Sequence, residues 1–258
     1  MVNLLKQRWA SGKAAVNAWL AIPSSFSAEV IARCGFDSVT VDVQHGVQDY
    51  MSMVQCFQAM GAHPVTPLVR VPWLEPGIVG KVLDAGAQGV ICPMVNTPEA
   101  AEALVQYAKY PPRGARSNGP IRITMYGEAS DYQKTANDDT LVIPMIETQQ
   151  AVQNLDAILD VKGLAGVYIG PADLAFSYGK TPKLDHEDQF FFDIYAKIIA
   201  ACSKRGLYAG IHTGRGAYAA RMIKMGFRLT TIANDSGLMA MAAKAEIADA
   251  RKNSDGIA

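Results

Sequence analysis

Eight short apolar runs alternate with helix-forming segments along this chain, and the alternation limits the folds that it can adopt. Runs of this length with few polar positions are typical of strands buried on both faces. Because chain long enough for a crossover separates consecutive runs, they are expected to pair in parallel and to place their carboxyl ends on one rim. The runs are Ala14–Ala21, Ser38–Val43, Val65–Val71, Gly89–Val95, Leu141–Ile146, Gly166–Gly170, Leu207–Ile211 and Phe227–Ala233.

This pattern predicts an α/β fold, a single (β/α)8 TIM barrel that spans residues 1–258. A length of 258 residues, of which 50% are hydrophobic, suits one barrel or two small domains, and the regular alternation favours one barrel. Between Lys109 and Asp139 the sequence is rich in turn formers and lacks periodicity, which predicts a long loop over one rim. Helices are also expected within residues 24–34, 50–60, 150–159, 190–204 and 238–252, and from Pro98 onward.

The composition excludes several classes of partner. The 24 basic residues equal the 24 acidic ones, so there is no basic surplus for nucleic acid or acidic membranes. No apolar run approaches the roughly 20 residues of a membrane span, and the N-terminus lacks the apolar core of a signal peptide. The four cysteines have no zinc-site spacing and mostly lie in apolar runs, so they are expected to be reduced core residues of a soluble cytoplasmic protein. They are Cys34, Cys56, Cys92 and Cys202.

Two carboxylates follow two successive predicted strands. Glu147 ends the fifth strand, and Asp173 comes shortly after the sixth. Parallel strands place these positions on one rim, and two oxygen ligands suit a hard divalent ion such as Mg²⁺ or Mn²⁺ that keeps waters or binds substrate. The turn Gly170–Ala172 would set backbone groups rigidly beside such an ion. The alternative is a pair of solvated loop carboxylates.

Other polar residues fall on the same predicted rim. Arg70 could bind a substrate carboxylate or a developing oxyanion, or could form an ion pair that seals the barrel. His45 is a candidate general base, or else a structural histidine, and His212 follows the seventh strand. His63 falls on the opposite rim and His186 in a charged loop, so neither is expected to take part in chemistry.

Two further mechanisms are disfavoured. No lysine lies at a predicted strand end, so a Schiff-base aldolase mechanism finds no candidate and a metal would have to activate the carbonyl. Gly214 and Gly216 belong to a G-x-G-x-x-A sequence with Asp235 about 20 residues further on, which matches a dinucleotide fingerprint. Too little chain follows to complete a nucleotide-binding sheet. A phosphate site or simply a tight helix start are the remaining interpretations.

Five motifs, distributed along the chain, carry a resemblance to a known family. The chain resembles the HpcH/HpaI aldolases, which are metal-dependent 4-hydroxy-2-oxo-acid aldolases of the phosphoenolpyruvate/pyruvate barrel superfamily. The resemblance covers almost the whole sequence. The motifs are Val41–Gly46 (VDVQHG), Leu68–Pro72 (LVRVP), Leu83–Gln88 (LDAGAQ), Met145–Thr148 (MIET) and Ile169–Leu174 (IGPADL).

The resemblance implies a role for each matching residue. Glu147 and Asp173 would bind Mg²⁺, Mn²⁺ or another divalent ion such as Co²⁺, while Arg70 would stabilise an enolate and His45 would transfer protons. The other implied roles are carboxylate binding by Gly170, Pro171 and Ala172 through the backbone, support of the metal's water shell by Asp42, and orientation of a neighbouring subunit's histidine by Asp84. The family resemblance also implies a homohexamer in which dimers exchange their C-terminal helices.

The implied reaction joins pyruvate, or a related 2-oxo acid such as hydroxypyruvate, to an aldehyde, reversibly. Two departures leave the preferred substrates open: Gln44 stands where many members have glutamate, and Met145 where some have glutamine. Three alternatives also remain open, namely a 2-oxo-acid decarboxylase, a lyase that splits CoA esters, and a catalytically silent binding barrel.

Overall fold

The computed structural model describes residues 3–254, and in it eight parallel strands form a barrel. The sheet order is β5-β4-β3-β2-β1-β8-β7-β6. β5 and β6 meet where Met145 pairs with Tyr168, and Ile146 N donates to Tyr168 O at 2.8 Å. The (β/α)8 prediction is therefore confirmed. The strands are Ala15–Leu20 (β1), Ser38–Asp42 (β2), Thr66–Arg70 (β3), Gly89–Cys92 (β4), Leu141–Pro144 (β5), Gly166–Ile169 (β6), Tyr208–Thr213 (β7) and Leu229–Ile232 (β8).

Helices connect the strands along the chain. Many of them begin at a side-chain cap, such as Thr97, whose hydroxyl accepts from Ala100 N before Pro98 opens its helix. The predicted domain range of 1–258 also includes residues 1–2 and 255–258, which lie outside the described residues. The helices are Leu4–Ala10 (α1), Ser25–Ala32 (α2), Tyr50–Met60 (α3), Pro76–Asp84 (α4), Pro98–Ala108 (α5), Ala129–Asp139 (α6), Gln149–Gln153 (α7), Leu155–Leu159 (α8), Pro171–Ser177 (α9), Gln189–Lys204 (α10), Gly216–Met225 (α11) and Asp235–Lys252 (α12).

The strands lack a regular apolar–polar alternation because they contribute to two separate layers of the core, and even polar strand residues such as Thr40 and Thr230 are buried. Leu68 points into the barrel, where it packs with Trp19 and Tyr168. Its neighbour Val69 belongs to the larger layer between the strands and the helices, together with Val41. Successive side chains of a strand face opposite sides, so burial on both sides removes the polar alternation of a half-exposed strand.

The first helix closes the N-terminal rim and was not predicted. Leu5 and Trp9 of α1 pack under the interior layer of the barrel. Trp9 Nε1 donates to Arg228 O at 2.8 Å, and Asn3 Nδ2 donates to Asp139 O at 2.8 Å. With this rim filled, the interior of the barrel opens towards the carboxyl ends of the strands.

The prediction of a long loop between Lys109 and Asp139 is partly wrong. The segment contains a 3₁₀ turn at Ile123–Tyr126 and the helix α6. Ala136 is the one buried residue among those described in α6. A helix with so few apolar residues gives only a weak hydrophobic signal in the sequence.

The helix expected over residues 150–159 is interrupted at Asn154. Its backbone leaves the helical conformation (φ −88°, ψ 9°) between α7 and α8, and its Nδ2 donates to Asn96 O at 2.8 Å. The amide side chain thus binds a neighbouring loop at the point where the helix breaks, a local competition that apolar spacing does not reveal.

The expectation that all four cysteines are core residues is wrong for one of them. All four are free, and Cys56, Cys92 and Cys202 are buried, but Cys34 is exposed. It lies just after α2, beyond the face of that helix that packs on the barrel, where Ala28 and Ala32 are buried. Within residues 3–254, no helix has the length and apolar character that crossing a membrane requires.

Candidate active site

A cavity of about 240 Å³ opens at the carboxyl ends of the strands. The rings of Trp19 and Tyr168 form part of the cavity wall, and Met145 and Leu184 add apolar surface. The structure thus brings together most of the residues that the sequence predicted for one rim. Those that line the cavity are Asp42, His45, Arg70, Gly170, Pro171, Ala172, Asp173 and His212.

Glu147 is a buried carboxylate beside this cavity, 2% exposed. Its Oε1 accepts a hydrogen bond of 2.7 Å from Met94 N, and Met94 has a φ of 55° in the turn after β4. Burial raises the pKa of Glu147 to about 7, and the charge of Asp173 adds to the rise, against the opposing effects of the Met94 hydrogen bond and Arg70. The two carboxylates therefore repel one another.

Gly170 allows this arrangement. A Cβ at position 170 would overlap Glu147 Oε2 and would lie 3.0 Å from Met145 Cε, so only glycine fits against the carboxylate. Two neighbouring carboxylates, with one in low dielectric, match the oxygen ligands that a hard divalent cation prefers. No group of three or more His, Cys, Asp or Glu side chains with metal-site geometry occurs among residues 3–254.

Arg70 is held by Asp42 through two parallel hydrogen bonds. Nε donates to Oδ1 at 2.8 Å and Nη2 donates to Oδ2 at 2.6 Å, while the guanidinium lies 4.9 Å from the centroid of the Trp19 ring. Burial alone would raise the pKa of Asp42, but the hydrogen bonds and charge of Arg70 outweigh it and hold this pKa below its usual value. The ion pair predicted as the alternative for Arg70 is present, yet the arginine still faces the cavity.

Asp42 also shapes the turn that carries His45. Its Oδ1 accepts from the backbone N–H groups of Gln44 at 3.1 Å and His45 at 3.3 Å. Gly46 is required there, since a Cβ would overlap the carbonyl oxygen of Asp42. One carboxylate therefore orients both the arginine and the histidine. Gln44 points elsewhere, and its Oε1 is buried without a hydrogen-bond partner in the described part of the chain.

Comparison with known proteins places this site in a family. The family model HpcH/HpaI aldolase/citrate lyase matches residues 16–242. A hydroxypyruvate/pyruvate aldolase of Rhizorhabdus wittichii is 37% identical over 97% of this chain and 99% of its own length. A 4-hydroxy-2-oxo-heptane-1,7-dioate aldolase of Escherichia coli is 33% identical over 95% of this chain and 94% of its own.

The chain belongs to the HpcH/HpaI aldolase/citrate lyase family. A solved structure agrees: a family protein from Burkholderia cenocepacia J2315 superposes with a TM-score of 0.90 at 31% identity, covering 97% of this chain and 100% of that one. The resemblance seen in the five sequence motifs is thereby confirmed.

Asp84 is the one residue with a family-implied catalytic role that lies far from this cavity. It ends α4, on the rim opposite His45, and its Oδ1 accepts from Arg116 Nη2 at 2.6 Å. Arg116 is buried and lies 4.4 Å from the centroid of the Tyr110 ring. Within one aldolase subunit Asp84 therefore cannot orient His45, and its role stays a prediction about a neighbouring subunit.

His212 lies inside β7, one position beyond the predicted end of that strand, and it is neutral. Burial, with the nearby charge of Arg70, lowers its pKa to about 4. Its ring meets Trp19 edge-on at 4.9 Å, and its Nδ1 is 3.3 Å from the hydroxyl of Tyr168, which donates to Thr231 Oγ1 at 2.6 Å. This aromatic layer forms the floor of the aldolase cavity.

Sequence reasoning missed several contributors to the site, among them Met94, Trp19 and Asn234. Met94 acts through its backbone N–H, and a positive φ at a residue other than glycine leaves no signal in the sequence. Trp19 and Asn234 line the cavity from β1 and from the turn after β8. The position of Trp19 near the carboxyl end of a predicted strand could have indicated that it lines the cavity.

The glycine-rich sequence after β7 has a structural explanation. Gly214 N donates to Asp185 Oδ1 at 2.7 Å, and Gly216 begins α11. Asp235, the acid of the supposed dinucleotide fingerprint, is buried and accepts from Ala21 N at 2.8 Å and from Ile22 N at 3.2 Å. These contacts support the tight helix start rather than a nucleotide site.

Proposed function

We propose that the chain is a class II aldolase that joins pyruvate, or a related 2-oxo acid such as hydroxypyruvate, to an aldehyde, reversibly. As a family member with aldolase relatives along nearly its whole length, it is a carbon–carbon lyase. The observation that carries the proposal is that the buried Glu147 lies near Asp173, which lines the cavity together with Arg70 and His45. Curated relatives at 33–37% identity have aldolase names, which favours the aldolase over the CoA-ester alternative.

Glu147 and Asp173 would hold a divalent cation such as Mg²⁺ or Mn²⁺. When bound, this ion would supply Lewis acidity at the keto oxygen of the substrate. The Gly170–Ala172 turn would bind the substrate carboxylate through its backbone, and Gly170 and Pro171 bring that backbone close to Glu147. Asp42 would support the water shell of the ion through the arginine and histidine that it orients.

The remaining steps belong to the side chains of the cavity. His45 would take a proton from the methyl group of pyruvate and later return it. The N–H groups of Arg70 that Asp42 leaves free would donate to the enolate oxygen. Because Asp42 already fixes the guanidinium, little reorganisation is needed when this charge develops. Attack of the enolate carbon on an aldehyde then gives a 4-hydroxy-2-oxo acid.

The oligomer is also part of the proposal. α12 buries Asp235 alone among its described residues, and Met239 and Ile247 are 62% and 51% exposed. Helix exchange within a homohexamer would cover such side chains and would bring Asp84 towards the histidine of a neighbouring subunit. Light scattering of the purified protein tests the hexamer. Four free cysteines support a cytoplasmic location.

Exchange of the pyruvate methyl protons in D2O, followed by proton NMR, tests the enolate step without the right aldehyde. We expect exchange with Mg²⁺ or Mn²⁺ and none with EDTA. Exchange that persists in EDTA would contradict the requirement for a metal. No exchange in either condition would contradict the formation of an enolate from pyruvate. Loss of oxaloacetate without any aldol product would favour the decarboxylase instead.

A further inference from the structure

His186 is a buried histidine that the proposed mechanism does not use. It lies in the charged loop between α9 and α10 and is only 5% exposed. Its ring stacks on Phe191, with centroids 3.8 Å apart and planes 27° from parallel. A buried polar ring needs a hydrogen-bond partner, and the identity of that partner connects it to the active site.

The partner is the backbone carbonyl of Pro171. His186 Nε2 lies 3.4 Å from this oxygen, and because a carbonyl only accepts, a hydrogen bond between them requires the proton on Nε2. Burial lowers the pKa of His186, against the opposing effects of its hydrogen bonds to the backbone of Pro171 and Lys183. Pro171 has no N–H of its own, so its carbonyl is the one backbone group through which this residue can be held.

The loop that carries His186 is itself fixed by two neighbouring elements. The hydroxyl of Tyr218 in α11 donates to His186 O at 2.6 Å. Asp185 accepts from Gly214 N, at the end of β7. One residue earlier, Leu184 lines the active-site cavity. The imidazole is thus held between α10, α11 and β7 and is rigid enough to hold another group in place.

We propose that His186 is a positioning residue whose Nε2–H holds the carbonyl of Pro171 and so fixes the Gly170–Ala172 turn for binding the carboxylate of a 2-oxo acid. The inference rests on the proposed function, in which this turn binds substrate. The turn has little room to move on its other side, where Gly170 lies against Glu147. A small rotation of the peptide at Pro171 would misdirect the backbone N–H groups that follow it.

Two substitutions separate the hydrogen bond from the packing. His186→Phe keeps a ring that can stack on Phe191 but removes the donor, whereas His186→Gln keeps an N–H donor. We expect His186→Phe to raise the KM for pyruvate in the methyl-exchange assay about three- to tenfold, the effect of one lost neutral hydrogen bond, with kcat within about twofold. His186→Gln should recover part of this loss. Calorimetric Kd values for oxamate, an unreactive analogue, should follow the KM values.

Glu187→Gln is the matched control, since it removes an exposed ion pair with Arg221 from the same loop without touching His186 or Pro171. We expect it to leave both the melting temperature and the KM unchanged. If His186→Phe does not fold, the contrast between His186→Leu and His186→Gln replaces it. An unchanged KM in the donor-free variant, or equal losses with and without a donor, overturns the inference while metal-dependent wild-type exchange upholds the function. Absence of wild-type exchange and of oxamate binding overturns both.

Discussion

The two rims of the barrel are built from the same eight strands but treat their buried polar groups differently. At the N-terminal rim, Trp9 Nε1 donates to Arg228 O, and Lys109 Nζ donates to Asn137 O at 2.7 Å and Thr140 O at 2.6 Å. At the C-terminal rim, Glu147 accepts one backbone hydrogen bond and faces another carboxylate. The buried N–H groups of Trp9 and Lys109 thus donate to carbonyls of the chain, whereas the C-terminal rim brings two carboxylates together.

A cavity by itself does not distinguish the rims. A second cavity, of about 180 Å³, lies at the N-terminal rim beside Phe57, Met60 and His63. No carboxylate among the described residues lines it. His63 was correctly predicted to lie away from the site. We conclude that the C-terminal rim is specialised for binding and the N-terminal rim for stability, as is usual for barrels of this type. The following experiments test this division.

The largest effect is expected at the carboxylate pair. Glu147→Gln keeps an acceptor for Met94 N but removes the charge, so metal-dependent methyl exchange of pyruvate should fall at least about a thousandfold. The free energy of unfolding should not fall, because a neutral amide is cheaper to bury than an unpaired charge. Exchange kinetics and urea denaturation measure the two quantities.

Glu99→Gln provides the control for this change. Glu99 is an exposed carboxylate in the first turn of α5, and its replacement should leave exchange unchanged. A Glu147→Gln enzyme that retained more than a tenth of the wild-type rate would refute the assignment of Glu147 as a metal ligand.

Trp9→Ala should lower stability and leave activity unchanged, the opposite of the result expected for Glu147→Gln. It removes a ring stacked 4.5 Å from that of Tyr208 and leaves Arg228 O without its donor, so we expect a loss of about 3–5 kcal/mol in the free energy of unfolding. The exchange rate of the folded enzyme at 25 °C should stay within about twofold, since α1 lies at the rim that carries no chemistry.

Trp73→Ala is the comparison at the other rim, because Trp73 is 55% exposed in the turn after β3. Trp73→Ala should lower the free energy of unfolding by less than about 1 kcal/mol. A fall in kcat for Trp9→Ala, measured while the protein is fully folded by circular dichroism, would show that the two rims are coupled.

Arg70→Lys tests whether the ion pair at the catalytic rim serves function. A lysine cannot make the two parallel hydrogen bonds to Asp42 and also face the cavity, so exchange should fall about a hundredfold with a smaller change in stability. The control is Arg8→Lys, which alters the Arg8–Asp37 pair at the N-terminal rim, where the closest atoms are 3.0 Å apart. That change should affect neither activity nor, beyond about 1 kcal/mol, stability. Equal activity losses in Arg70→Lys and Arg8→Lys would contradict the division of roles between the two rims.

The features of this molecule differ in how well they can be predicted from the sequence. Strands with two buried faces and residues such as Glu147 at strand ends are properties of the local sequence, and both were predicted. The seal made by Trp9 and the hydrogen bond from Met94 depend on groups that meet only after the barrel closes. The polar helix α6 has no apolar stripe, and the buried position of His186 depends on contacts from three other elements. No single segment contains that information.

The smallest effect concerns Lys109, a buried cation at the N-terminal rim. Burial lowers its pKa to about 8 from an unfolded value of 10.5. Between these values the unfolded chain binds more protons than the folded one, so this residue adds stability as the pH rises through 8. The neutral amine still has two N–H groups, which match the carbonyls of Asn137 and Thr140. The cost of burying the charge disappears while the hydrogen bonds remain.

We therefore expect the unfolding free energy of the wild type to rise by about 1–2 kcal/mol between pH 7 and 9.5, relative to that of Lys109→Met. The difference between the two curves matters, because buried tyrosines and cysteines titrate equally in both proteins. Lys224→Met removes an exposed lysine from the last turn of α11, and its curve should run parallel to that of the wild type. If the Lys109→Met curve also ran parallel, the ammonium would be solvated in the folded protein. The N-terminal rim would then be more open than its hydrogen bonds indicate.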